Sequence, residues 1–149
     1  MSTRDERPPT GDTVPYRGQY LGLPAEGPGS VAGFGIRLLA LVIDWALANL
    51  VALMLAGTEV WSAATGRVWL PLVAWYLLTS LATGLTGASI GQWALRLRVL
   101  RLDRRPVGLL RGFARTALIA LVLPAVVSVG DGRGLHDLAV GTVVVHGPR

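Results

Sequence analysis

The chain has two long apolar stretches, separated by a short polar loop. The first covers residues 35–56 and the second residues 68–85. A transmembrane helix needs about 20 mostly apolar residues, so each stretch is long enough to cross a bilayer. Pro71 falls in the first turn of the second stretch, where the missing N–H costs little. The pattern therefore predicts two transmembrane helices.

A third apolar region, residues 107–129, gives a less uniform pattern. Arg111 and Arg115 lie one helical turn apart in its first half, and Pro124 interrupts its second half. The part that follows Arg115 has about 14 residues, which is short for a full crossing. Two alternatives are open: a third spanning helix that leaves the C-terminus outside, or a bent, re-entrant segment that returns it to the cytoplasm. We favour the re-entrant form.

Two shorter segments have the character of strands. Residues 94–102 alternate arginine with aliphatic residues, which is the period of a half-buried strand. Residues 141–145 are rich in valine and are also typical of a strand. The two could pair only if they lie on one side of the membrane. The predicted fold is an all-α membrane protein with two transmembrane helices, a third spanning or re-entrant helical segment, and a short cytoplasmic strand-like ribbon.

Composition agrees with a membrane protein. Mean hydropathy is +0.51 and charged residues make up 15% of the chain, whereas soluble domains have about 25%. The net charge of +5 comes from arginine, since there is no lysine. These arginines flank apolar stretches, so the positive-inside rule accounts for them and we predict no nucleic-acid partner.

The most basic loop begins at Arg96 and ends at Arg105, with five arginines. We expect it to be cytoplasmic and to contact anionic lipid headgroups. The N-terminus is then cytoplasmic as well. Residues 1–30 carry charges, Pro and Gly with no apolar stretch, so we predict a disordered cytoplasmic tail, followed by a transmembrane domain over residues 31–146.

Asp44 is a carboxylate near the middle of the first apolar stretch. A charge at that depth costs at least about 2.5–3.5 kcal/mol, and such residues usually face protein or water. Asp44 belongs to a row of small residues, recurring every fourth position, that helices use to approach one another closely. We expect Thr79 and Thr83 of the second stretch to donate hydrogen bonds to it. Arg115 is the expected charged partner, whereas Arg37 is expected to extend towards the headgroups.

A second polar cluster lies at residues 131–137. Its glycines fit a tight turn, and Asp137 could cap a following turn or bind Arg37 or Arg96. His136 stands beside Asp137, but the chain has no cysteine and no metal-ligand spacing. We therefore predict no metal, no cofactor and no enzymatic activity.

Four segments together resemble the RDD family of bacterial membrane proteins: residues 35–44, 87–92, 95–99 and 135–144. That family is named for one arginine and two aspartates, which correspond here to Arg37, Asp44 and Asp137. The resemblance covers residues 31–146. One departure is Gly91-Gln92-Trp93, where the family usually has Gly-Lys-Arg. The candidate supporting residues are Thr79, Thr83, Arg96, Arg115 and His136.

The resemblance implies a small inner (plasma) membrane protein. Transport of unknown ligands has been suggested for the family, and sodium/proton exchange has been attributed to some members. We expect a transport or ion-coupling module that uses the intramembrane Asp44, working as a homo-oligomer or with a partner membrane protein. The rival hypothesis is a non-transporting scaffold whose Arg–Asp pairs only fix helix packing, since breaking a buried pair costs about 3–5 kcal/mol.

Overall fold

The structure is a computed structural model, and it describes residues 16–102, 107–121 and 135–148. The helices of these ranges are α1 (Phe34–Ala56), α2 (Leu70–Thr86), α3 (Ile90–Ala94), α4 (Leu109–Ala120) and α5 (Leu135–Val140). The strands are β1 (Leu97–Arg101) and β2 (Thr142–His146). Short 3-10 turns connect α1 to α2.

Both predicted apolar helices are present in the structure. The helical segments Phe34–Trp61 and Arg67–Thr86 are each long and apolar enough to cross a membrane. Pro71 lies in the first turn of α2, as expected. Gly87 ends that helix in a left-handed conformation, and its N–H donates to the carbonyl of Thr83.

The surface of this helix pair is apolar, and its buried residues, apart from Pro71 and Trp75, are small or polar. The residues that α1 buries are Ala40, Asp44, Ala48 and Ala52. Its large apolar side chains, by contrast, point outward, with those of α2: Leu38, Leu39, Val42, Leu50, Met54, Leu55, Val73, Leu77, Leu81 and Leu85. Without a hydrophobic driving force between them, helices in lipid associate through small residues, which is the distribution found here.

The third apolar region contributes α4, which has 12 residues and is about 18 Å long. This is shorter than the hydrocarbon core of about 30 Å, and the described residues contain no third spanning helix. α4 lies close to α2, because Gly112 has no side chain that would meet the carbonyl oxygen of Ser80. The hydroxyl of Tyr76 on α2 also donates to the carbonyl of Phe113, at 3.2 Å. Residues 122–134 lie outside the described ranges.

The strand-like segments pair as an antiparallel ribbon. The register runs from Leu97 opposite His146 to Arg101 opposite Thr142. Burial alternates along β1 as predicted, with Leu97 and Val99 inward and Arg98 outward. Since β1 and β2 share one sheet, the intervening chain begins and ends on the same side of the helices. The choice between a spanning and a re-entrant third region falls partly on residues 122–134, which lie outside the described ranges.

The predicted disorder of residues 1–30 is wrong from Tyr16 onwards. Residues 29–32 lie along the free edge of β2, where Gly29 N–H donates to the His146 carbonyl and Ala32 N–H donates to the Val144 carbonyl. Apolar side chains also pack there: Val31, Val143 and Val145 form a cluster with Leu21 and Leu23. Burial of these side chains offsets the conformational entropy that is lost when the segment becomes ordered. The prediction from composition assumed that the whole tail had no such burial. Residues 1–15 lie outside the described ranges.

A small core joins the sheet to the start of α1. Ala32 and Ala40 pack there with Leu97, Val99 and Val144. The sheet therefore covers the end of the helix pair at which α1 begins. Arg37, about one helical turn before Ala40 in α1, lies at this end.

Candidate functional site

A capping box after α2 builds the first part of the site. The Ser89 hydroxyl accepts from the Gln92 backbone N–H at 3.2 Å, and the Gln92 side chain accepts from the Ser89 N–H at 3.0 Å. This reciprocal pair starts α3, and the S-x-x-Q spacing is its sequence signal. The turn thus holds Ser89 and Gly91 in fixed positions beside α1.

Both oxygens of Asp44 are bound by this turn. Its Oδ2 accepts from Ser89 Oγ at 2.5 Å and its Oδ1 accepts from the Gly91 N–H at 2.7 Å. Gly91 permits the approach, because a Cβ at that position would overlap the carbonyl oxygen of Ala40. Asp44 is 7% exposed. The carboxyl is therefore buried and held by two uncharged donors.

The expected partners of Asp44 are corrected. Its hydroxyl donor is Ser89, rather than Thr79 or Thr83. The Thr83 hydroxyl is buried with no hydrogen-bond partner among the described residues, while Thr79 is buried in α2. The physical reason is that the turn before α3 places the Ser89 hydroxyl and the Gly91 backbone N–H within hydrogen-bond distance of Asp44.

Asp137 is the centre of a charged cluster. Its Oδ1 accepts from Arg115 Nε at 2.8 Å and from the Thr142 hydroxyl at 3.0 Å. Its Oδ2 accepts from Arg37 Nη1 at 3.4 Å and lies 3.4 Å from His136 Nε2. The carboxyl is fully buried and Arg115 is nearly so.

The cluster settles which arginines bind which carboxylate. Of the alternatives open for Asp137, the partner is Arg37 and not Arg96. The expectation that Arg37 extends towards headgroups is wrong, because a second nitrogen donates to the Val144 carbonyl at 3.3 Å. The expectation that Arg115 pairs with Asp44 is also wrong, since its ion pair is with Asp137.

The charge state of Asp137 follows from its neighbours. Burial alone would raise the pKa of the Asp137 carboxyl, but the Arg115 guanidinium and the His136 imidazole outweigh it. Together they hold that pKa well below its ordinary value. Asp137 is therefore ionised at neutral pH, and it links α1, α4, α5 and β2.

Arg96 lies outside this cluster. It is exposed, in the short link between α3 and β1, and it lines two surface cavities near the C-terminal end of β2. Its predicted supporting role at the buried site therefore has no geometric basis.

A cavity of about 70 Å³ brings the two carboxylate environments together. Asp44 lines this cavity together with Arg37, Arg115 and His136, the three basic residues that contact Asp137. Thr79, Ser89 and Gln92 add polar groups. The indole N–H of Trp75, which also lines the cavity, has no hydrogen-bond partner in the described part of the chain. The space suits about two water molecules.

Ser89, Gly91 and Gln92 are the functional residues that our site prediction missed. The S-x-x-Q spacing was a usable signal for the turn, but not for its position beside Asp44. As to metals, residues 16–102, 107–121 and 135–148 contain no group of three or more His, Cys, Asp or Glu side chains that could hold an ion.

Comparison with known proteins gives one match. The model of the RDD family matches residues 31–141, which is about three quarters of the chain. No curated protein and no solved structure matches the chain. The match covers Arg37, Asp44 and Asp137, whereas Thr142, which donates to Asp137, lies one residue beyond it.

Proposed function

This chain belongs to the RDD family, and we propose that it is a proton-coupled transport or ion-coupling module of the inner (plasma) membrane. Asp44 is the group that binds and releases the proton. One observation carries the proposal: both Asp44 oxygens are held by uncharged donors beside a polar cavity. The proposal assigns no enzymatic reaction to the chain.

The Asp44–Ser89 contact suits both protonation states. A hydroxyl has one donor and two acceptor lone pairs. With Asp44 ionised, the Ser89 hydroxyl donates to it. With Asp44 protonated, the carboxyl can donate to Ser89 Oγ, whose second lone pair still accepts from the Gln92 N–H. Neither state requires the turn to move.

Protonation of Asp44 also breaks no ion pair. Within the described ranges, no basic side chain lies within ion-pair distance of this carboxyl, and the two nearby arginines bind Asp137 instead. A salt bridge at Asp44 would oppose proton uptake, because the partner would be left as a buried, uncompensated charge. Both arginines bind Asp137 and neither binds Asp44. This arrangement supports reversible protonation of Asp44.

The same contacts support a proton over a bound metal cation at this position. Ser89 Oγ and the Gly91 N–H both direct hydrogens at Asp44. Hard cations require several oxygen ligands instead. We therefore assign proton binding to Asp44 and leave the coupled cation or solute to another part of the pathway.

Transport through this protein would need an assembly larger than one chain. Two spanning helices enclose about 70 Å³, which is far less than a continuous path across a bilayer needs. We therefore propose a homo-oligomer or a complex with a partner membrane protein. The positive-inside rule supports a cytoplasmic position for the sheet and the N-terminus, because Arg96, Arg98 and Arg101 lie at that end.

The test is proton flux in proteoliposomes that contain the full chain. We expect the wild type to dissipate an imposed pH gradient when a cation or solute gradient is applied, and Asp44→Asn to abolish this flux. Asparagine keeps the shape and two hydrogen bonds but cannot exchange a proton in this way. Glu59→Gln is the matched control, since it makes the same carboxyl-to-amide change at an exposed loop position.

The outcomes separate the two hypotheses. Folding is checked in each variant by helical circular dichroism and by detergent resistance. Loss of flux in folded Asp44→Asn, with full flux in Glu59→Gln, is the expected result. Equal flux in the wild type and in Asp44→Asn overturns the proposal. Absence of flux in every protein favours the scaffold, and co-purifying proteins then identify its partner.

A further inference from the structure

We infer that the surface formed by Trp93, Arg96, Arg98 and Gly147, here termed the headgroup surface, binds the phosphate of an anionic phospholipid. This surface lies outside the buried carboxylate site, and the inference does not depend on proton transport. It concerns the shallow cavity of about 330 Å³ beside the start of β1.

The depth of the headgroup surface matches that of lipid phosphates. Arg98 Nη1 donates to the carbonyl of Thr86, the last residue of α2, at 3.1 Å. This guanidinium therefore lies where the second candidate membrane span ends. Trp93 is 68% exposed at the same end, and tryptophan concentrates at the membrane–water interface.

The cations of this surface are available to a ligand. No described side chain pairs with the guanidinium of Arg96 or of Arg98, which leaves most of the ten N–H groups of the two arginines free. Among the described residues, the cavity lining contains no carboxylate: it consists of Trp93, Ala94, Arg96, Leu97, Arg98, Gly147 and Pro148. Planar guanidinium groups bind phosphate through paired hydrogen bonds. The chemistry is that of a phosphate site.

The backbone at Arg96 is unusual in a way that fits a ligand site. Its φ is 55°, in the left-handed region. Its N–H donates to the Trp93 carbonyl and its carbonyl accepts from the Gly147 N–H, so the conformation is held from both sides. Glycine would adopt it without strain, whereas strained residues cluster at ligand-binding positions. An arginine here indicates a need for its side chain.

The neighbouring side chains favour a lipid over a soluble phosphate. Leu85 and Ile90 are exposed apolar residues. Leu85 directly precedes Thr86, whose carbonyl binds Arg98, and Ile90 is three positions before Trp93. Leu85 lies in the last turn of α2, on the membrane side of Thr86. A headgroup bound by the arginines would thus have its acyl chains beside an apolar helix surface.

The experiment titrates the purified full chain, in a neutral detergent, with phospholipids that carry brominated acyl chains. Bromine quenches nearby tryptophan, so binding is followed by fluorescence. Phosphatidylglycerol is expected to quench at a lower concentration than phosphatidylcholine. Arg96→Gln and Arg98→Gln should each weaken phosphatidylglycerol binding about fivefold, the effect of one basic residue near an anionic surface. Because the chain has four other tryptophans, Trp93→Phe should remove only the part of the quenching that is selective for phosphatidylglycerol.

Two variants separate binding from structure. Arg67→Gln is the matched control, because Arg67 pairs with Glu59 in the loop at the other end of the helices; it should leave phosphatidylglycerol binding unchanged. Arg96→Gly relieves the left-handed backbone, so it should unfold at the same or a higher temperature than the wild type. It should nevertheless bind phosphatidylglycerol about fivefold more weakly.

Three results would overturn the inference. The first is equal binding of phosphatidylglycerol and phosphatidylcholine. The second is a similar loss in Arg67→Gln, which would indicate general electrostatic attraction. The third is displacement of phosphatidylglycerol by inorganic phosphate but not by chloride at the same ionic strength, which would identify a free phosphate as the ligand. Selective loss in the Arg96 and Arg98 variants, with phosphate inert, supports the lipid.

Discussion

Asp44 and Asp137 are both buried carboxylates of one RDD-family domain, yet their surroundings differ in kind. Asp137 accepts from two arginines and lies against a histidine. Asp44 accepts from a hydroxyl and a backbone N–H. The free-energy cost of burying a carboxylate can be offset by an opposite charge or by hydrogen-bond donors that are uncharged. An opposite charge stabilises only the ionised form, whereas uncharged donors allow the carboxyl to be protonated as well. The first arrangement suits a structural clamp and the second suits exchange.

The comparison also assigns a separate task to each group of residues. The Asp137 cluster joins α1, α4, α5 and β2 through side chains from each. Asp44 instead joins α1 to the turn before α3. Arg115 lines the cavity beside Asp44, but its ion pair is with Asp137.

The largest expected effect is that of Asp137→Asn, which removes the anion but keeps the shape. Arg115 would remain buried without its ion pair, and breaking such a pair costs about 3–5 kcal/mol. We expect the free energy of unfolding, measured by SDS titration in mild detergent, to fall by that amount. Glu59→Gln breaks an exposed pair and should cost about 1 kcal/mol or less. Equal losses in the two variants would remove the distinction between clamp and surface pair.

Gly91→Ala should damage the Asp44 side of the comparison. Its Cβ would overlap the Ala40 carbonyl and come within 3.0 Å of Asp44 Cγ, so α3 must move away from α1. Overpacking of this kind costs about 1–3 kcal/mol. We expect that loss in SDS titration, together with reduced flux. Gly35→Ala, where the Cβ meets nothing within 4 Å, should be neutral or slightly stabilising; a loss there as large as at Gly91 would contradict close packing as the cause.

Acid should weaken the clamp. The pKa of Asp137 is lower in the folded state than in the unfolded state, so its contribution to stability is complete above the ordinary carboxyl pKa, about pH 4. That contribution is lost as the pH falls below this value towards the folded pKa. Unfolding midpoints should therefore drop below about pH 4 in the wild type, and Asp137→Asn should lack this part of the dependence. An identical acid profile for both proteins would show that other groups cause it.

The smallest effect is expected for Thr83→Val. The Thr83 hydroxyl is buried without a hydrogen-bond partner in the described chain, so its removal costs no bond and relieves an unsatisfied group. We expect unchanged or slightly higher stability and unchanged flux. Ser89→Ala is the contrasting variant, because it removes a bond to Asp44 and one to Gln92; it should cost about 1–2 kcal/mol. A flux defect in Thr83→Val would restore the threonine to the site.

Much of the fold could be predicted because it depends on local patterns. Two apolar stretches of sufficient length fixed the membrane helices, and the row Ala40, Asp44, Ala48 gave the buried face of α1. The alternation of arginine with aliphatic residues predicted β1, and the valine-rich run at residues 141–145 predicted β2. The order of residues 16–30 was missed, because it depends on the free edge of β2, a feature distant in sequence.

The partners of the buried charges were predictable only in part. The pairing of Arg37 with Asp137, 100 positions apart, was among the alternatives, because few carboxylates are available in this chain. The pairing of Arg115 with Asp137 instead of Asp44 was not predicted, since it depends on how α4 and α5 pack together. Ser89 could have been identified as a helix cap, but a capping signal carries no information on which distant side chain the turn will bind.

The most direct test of the contrast between the two aspartates is infrared difference spectroscopy in reconstituted membranes. The pH is stepped across the range in which flux is measured, and the C=O stretch of protonated carboxyl groups is recorded. The account predicts a band change that is absent in Asp44→Asn and present in Glu59→Gln and in Asp137→Asn that remains folded. A band change that persists in Asp44→Asn, or disappears in folded Asp137→Asn, would contradict the assignment of proton exchange to Asp44.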